Sequence, residues 1–195
     1  MADDTQANTD KQAKKAARAK LRAKLESAAE AMQTRRRDIA NGLLTDNLSL
    51  ADRVQALGFN AETARVFDLL PVVHVAWADG EVQAEEREAL MTVLEVRGVE
   101  PGSAGFQLLS ALLEKHPGQA YINESLAVIR ELVAENSRRA EALVDLCFVI
   151  AEAHGAGFLG LRDPIDGNER QALEAVAEAL GDRATQWLRA KFGQL

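Results

Sequence analysis

Cysteine, proline, aromatics and long apolar runs are all scarce in this chain, and each scarcity excludes something. One cysteine, Cys147, cannot form an internal disulfide. It sits in the apolar run "LVDLCFVIAE", where nothing nearby would stabilise a thiolate, so a small core residue is expected rather than a nucleophile. Four prolines and few β-branched runs argue against an all-β fold. Aromatics make up 5% of the residues, while Ala, Leu and Glu dominate. Those residues lose little side-chain freedom in helices. No apolar run reaches about 18 residues, the length of a membrane-spanning helix. The N-terminus lacks the apolar centre of a secretory signal. A reducing, cytoplasmic location is the expectation.

Against these absences stands a 47% hydrophobic fraction over 195 residues, enough for one packed domain or a close pair. Charge is divided unevenly. Residues 1–40 hold ten Lys/Arg and six Asp/Glu, a net of +4, and residues 41–195 hold thirteen and twenty-four, a net of −11. An acidic body repels phosphates and argues against a nucleic-acid-binding domain.

Two parts follow: a basic, Ala-rich arm over 1–40 and a body over 41–195. Residues 1–10 are polar without periodicity, and disorder is expected there. Residues 11–40 read as one long helix. Leu21, Leu25, Ala28, Met32 and Ile39 make a thin seam along it, suited to docking on the body, weak pairing in a homodimer, or no partner at all. Its cations, Arg35, Arg36 and Arg37 among them, form either a solvated face or a contact for an acidic protein, anionic lipid or RNA.

In the body, Ser49 and Asn60 are candidate helix caps, Pro71 should kink or split its helix, and Gly98 suits a helix end. Ser103 should cap a helix running to about His116, and a further helix is expected over 119–136. The next expectations are a helix from Ser137 to His154, a Gly-rich loop, and helices near 167–180 and 183–192.

The body also repeats itself. "ADGEVQAEEREALMTVLEVRG" aligns with "DGNERQALEAVAEALG": Glu86-Arg87 on Glu169-Arg170, Ala89-Leu90 on Ala172-Leu173, and Gly98 on Gly181. Upstream, Ala76 to Gly80 aligns with Ala153 to Gly157, which leaves about six extra residues in the second loop. Each copy, near 60–116 and 137–192, reads as helix, acidic loop, helix, Gly, helix. Such units cannot bury their apolar faces alone and should pack together with approximate two-fold symmetry.

Asp79-Gly80, Val82, Glu86 seven positions after the aspartate, and Leu90 one turn later resemble the loop of TerB-like proteins. The likeness covers about residues 60–192. It implies an all-helical fold of two pseudo-symmetric halves, a divalent cation such as Ca²⁺ at an acidic cluster, and a role in stress-linked, often membrane-associated assemblies. By position the matching acids are Asp79 and Glu86. The second copy departs from the pattern. Ala156 stands at the aspartate position, and its acids are Asp163, Asp166 and Glu169.

Chemistry supports two readings of these acids. Hard divalent ions want several oxygens, and Asp163 or Asp166 would join Asp79 and Glu86 if the loops lie together. Alternatively, Asp166 and Glu169 have the spacing of a capping box, which needs no ion. Gln83 holds the matching position in the first copy and is a poor cap, so Asp79 is left unexplained by capping. The spacing is not that of an EF-hand. His74 and His154 are expected to pack at the core edge; a His154–Asp163 metal pair has no motif behind it. Phe158, at the tip of "HGAGFLG", either packs inward or anchors a partner. No nucleophile, cofactor or phosphate-binding motif is present. A non-enzymatic accessory protein is expected, one that couples a cation-binding loop to partner binding. The alternative is a metal-free interaction module recruited through its acidic face and basic arm to other proteins or to the inner membrane surface.

Overall fold

The Ala/Leu/Glu-rich segments fold as helices throughout the computed structural model, which describes residues 2–134, 137–155, 165 and 167–193. Nine α-helices follow in order among them: α1 (Ala2–Leu43), α2 (Leu48–Ala56), α3 (Leu70–Ala76), α4 (Ala84–Val96), α5 (Ala104–Glu114), α6 (Gln119–Val133), α7 (Ser137–Gly155), α8 (Gly167–Leu180) and α9 (Asp182–Phe192). A 3₁₀ helix, Ala64–Leu69, leads into α3. No strand occurs among the described residues, so the all-α expectation holds.

Local chemistry sets the boundaries. Asn47, not Ser49, caps α2: its side chain accepts the Ser49 N–H at 3.0 Å. Ser103 caps α5 through the Phe106 N–H at 3.4 Å, as expected. Pro71 falls in the first turn of α3, where its missing N–H costs nothing. It therefore marks the change from 3₁₀ to α-helix rather than a kink. Gly98 and Gly181, the aligned glycines, both sit at positive φ, +70° and +111°. A side chain at either would be strained.

Residues 2–10, expected to be disordered, are helical instead: α1 begins at Ala2 and runs unbroken for 42 residues. The boundary between arm and body lies inside this one helix. Residues 14–35 are exposed all round, whereas Ile39, Ala40 and Leu43 are buried. Arg36 ties the docked end to α2, its Nη2 donating to Asp52 Oδ2 at 2.7 Å.

Gly42 lets α1 approach the body. A Cβ placed there would lie 2.8 Å from the Ala64 Cβ. Ala normally stabilises a helix relative to Gly, but here the clash outweighs propensity. Gly42→Ala is expected to cost about 1–3 kcal/mol, read as a lowered melting temperature. Gly167→Ala, which would meet nothing within 4 Å, should cost nothing.

The repeat is real in space. Short α3 is buried on nearly every side (Leu70, Val72, Val73, Val75, Ala76) and packs on α7, its counterpart. The neighbours cross over: α4 packs on α7, and α8 packs on α3. Likewise α5 contacts α3 as α9 contacts α7. Each half thus covers the other's apolar face. Helix α6 bridges them, touching α2, α3, α7 and α8. Cys147 is fully buried in this core, and burial pushes its thiol pKa up. That fits a packing role.

Candidate functional site

The acidic elbow between α3 and α4 is built by a turn. After Ala76 the chain leaves the helix, and Trp77 anchors it: Nε1 donates to the Leu112 carbonyl at 2.9 Å, and the indole meets His116 edge-on at 5.3 Å. Asp79 is exposed, and its Oδ1 accepts the Glu81 N–H at 3.2 Å. Gly80 follows at φ +95°, the conformation this turn needs. Glu81 accepts from the Gln83 side chain at 3.0 Å.

Glu86 behaves differently. It is 3% exposed. Its Oε2 accepts the backbone N–H of Gln83 at 2.9 Å, the reach-back half of a capping box. Gln83 is a poor cap by residue type, but the glutamate needs only its backbone N–H. The adjacent Arg87 donates to the Leu113 carbonyl at 3.0 Å. In the second copy, Glu169 occupies the equivalent first-turn position of α8 and is also 3% exposed. Arg170 lies over the Phe192 ring at 4.1 Å. Equivalent Glu-Arg pairs therefore do equivalent work: a buried acid at the helix start and a cation reaching the following helix or its end.

Asp79 and Glu86 offer a hard cation two carboxylates, each already engaged with a backbone N–H. Among the described residues no group of three His, Cys, Asp or Glu side chains gathers into a metal-holding cluster. Asp163, Asp166 and Phe158 lie outside the described residues, as does the proposed partner of His154. The residues present therefore fit a cation in part only: Asp79 is solvent-facing and available, while Glu86 belongs to the helix start.

His74 is largely buried on α3, and among the described residues no metal-holding cluster includes it. Burial, then the charge of neighbouring His116, pushes its pKa below the ordinary 6.5. As pH falls through 6.5 the unfolded chain takes up a proton that the folded chain resists, so stability is present above 6.5 and falls until the lower folded pKa is passed. The urea midpoint should therefore drop between about pH 8 and pH 5, and His74→Gln should flatten part of that drop.

Of the cations proposed for partner binding, Arg35 and Arg37 are exposed and free of the body, whereas Arg36 is half-buried against Asp52. One concave surface had no motif to announce it. A cleft of about 810 Å³ opens where the end of α1 meets α6 and α7, lined by Asn41, Leu44, Asp46, Glu131 and Arg139 among others. Leu44 there is 83% exposed and held at φ +58°, a conformation unusual for a bulky residue. Arg139 donates to the Leu43 carbonyl at 3.3 Å and pairs with Asp68. The "NGLLTDN" stretch carries a turn signal, but only the fold brings α6 and α7 beside it.

No described helix is long and apolar enough to cross a membrane. In comparison with known proteins, the family model described as tellurite resistance protein TerB matches residues 69–192. Neither a curated protein nor a solved structure matches the chain.

Proposed function

The chain belongs to the TerB family, whose model spans more than half of it, and on that basis we propose that it is a non-catalytic accessory protein of the stress-response type. It acts in the cytoplasm by holding partners rather than by transforming a substrate. One observation carries this reading: residues 14–35 project from the body as a fully exposed helix while residues 36–43 anchor it. Residues 14–37 hold nine Lys/Arg and two Glu, against a body of opposite charge. The body is a rigid platform and the arm its contact element, which recruits the protein to other proteins at an anionic surface. Complementation tests it. In a strain lacking the gene and challenged with tellurite, the full chain should restore growth, whereas a chain starting at Arg36 should not. Equal rescue by the short chain would remove the arm from the function.

A second reading is supported by Asp79, which is exposed and lies outside the reach of helix capping. In it, Asp79 would supply a carboxylate to a divalent cation such as Ca²⁺, with Glu86 beside it and loop carbonyls completing the shell. A bound ion stabilises the folded state by about 2.7 kcal/mol at a hundredfold excess over Kd. Titrating Ca²⁺ or Mn²⁺ should then raise the melting temperature by about 5–10 °C, and Asp79→Ala should abolish the rise. Equal shifts in both proteins would rule out an ion at this position.

A further inference from the structure

The exposed part of α1 has an order that net charge alone does not express. Leu21, Leu25 and Met32 are 58%, 61% and 63% exposed. At about 100° per residue they fall, with Ala17 and Ala28, on one narrow strip. Lys24 borders the strip on one side and Arg18 on the other, both within about 60° of its centre, with Lys20 and Arg22 beyond them. The only acids between residues 14 and 37, Glu26 and Glu30, lie on the opposite face. Glu26 is there paired with Arg22 at 2.8 Å.

From this arrangement we propose that α1 lies on an anionic lipid bilayer, with Leu21, Leu25 and Met32 inserted between headgroups and the flanking cations on the phosphates. The proposal rests on the accessory-protein reading above and names its partner. Other occupants fit less well. A second α1 would bring like charges together along both flanks, and Arg35 stands at a seam position where a coiled coil wants an apolar residue. A dry protein groove would bury Lys14 and Arg35, which share the strip. At a bilayer their long stems lie along the surface and their charges reach the headgroups. RNA contact would leave the three apolar side chains without a role, and α1 has no aromatic residue for base stacking. The acidic body does not cancel the attraction. The exposed stretch reaches about 33 Å from its docked end at 1.5 Å per residue, several times the Debye length of about 8 Å.

Vesicle co-sedimentation with the full chain tests this, using phosphatidylcholine alone and phosphatidylcholine mixed with phosphatidylglycerol. Binding is expected only to the anionic vesicles and should fade at high salt. Neutralising Arg18, Lys20, Arg22 and Lys24 to Gln should weaken it by about a hundredfold or more, since each basic residue near an anionic surface contributes on the order of a fivefold factor. The triple change Leu21→Ser, Leu25→Ser and Met32→Ser should weaken it by about tenfold or more. None of these residues contacts the body, so every variant should melt like the wild type. Binding lost with the cations but unaffected by the serine changes would overturn insertion. No binding to anionic vesicles, or a preference for single-stranded RNA or for a second copy in sedimentation, would overturn the lipid assignment. The complementation by arm-bearing chains would then still stand or fall on its own result.

Discussion

A fragment trimmed to residues 69–195, the start of the family match, is expected to show no cooperative unfolding transition. The core begins well before it. Ile39, Leu43, Leu50, Val54, Phe59 and Phe67 are each 3% exposed or less and come from the end of α1, from α2, from the loop after α2 and from the 3₁₀ segment. Fully burying each such side chain contributes about 1.5–3 kcal/mol. Losing six removes on the order of 10 kcal/mol, comparable with the whole stability of a domain, about 5–15 kcal/mol. The missing segments also carry ion pairs: Arg53 of α2 reaches Glu124 and Glu131 on α6, and Asp68 meets Arg97 and Arg139. A fragment starting at Arg36 keeps all of these and should melt within about 2 °C of the full chain, since residues 14–35, which it loses, are exposed throughout. Phe67→Ala gives the graded version. Phe67 meets Phe59 edge-on at 4.9 Å with no exposure, and its loss should cost about 3–5 kcal/mol. A cooperative transition in the 69–195 fragment would show that the matched region is self-sufficient and that the upstream helices merely cover it.

Helices and their internal symmetry were legible in the sequence because both rest on short-range patterns. Gly98 and Gly181 end equivalent helices, and Glu86 and Glu169 begin equivalent ones, because the same local chemistry recurs at the same spacing. Where the sequence misled, competing chemistry lay nearby. Asn47 took the cap from Ser49 two residues on. Polar residues 2–10 carry no apolar period, yet they extend a helix already nucleated downstream, and extension is far less costly than starting one. Long-range facts were hidden altogether. Gly42 shows its purpose only when Ala64 lies against it, and the cleft beside Leu44 needs α6 and α7 to exist. The acidic elbow was half legible: the spacing picked out Asp79 and Glu86, but their opposite exposures follow from packing.

Those opposite exposures make Glu86 the sharper test of what the elbow is for. Glu86→Ala is expected to cost about 1–3 kcal/mol, because the part-buried Gln83 N–H loses its acceptor. For a chain of this length that lowers the melting temperature by roughly 3–10 °C. Glu86→Gln keeps a carbonyl oxygen of similar reach and should cost less than about 1 kcal/mol. A cation separates the two roles further, since an amide is a far weaker ligand for a hard ion than a carboxylate. If Ca²⁺ raises the melting temperature of the wild type but not of Glu86→Gln, the carboxylate serves both the helix start and an ion. If both respond alike, Glu86 is an architectural residue and Asp79 alone carries any claim to a ligand; if neither does, the elbow holds no ion. If the Gln variant is as unstable as the Ala variant, the charge matters more than the acceptor, and the helix dipole rather than the hydrogen bond holds α4 at its start.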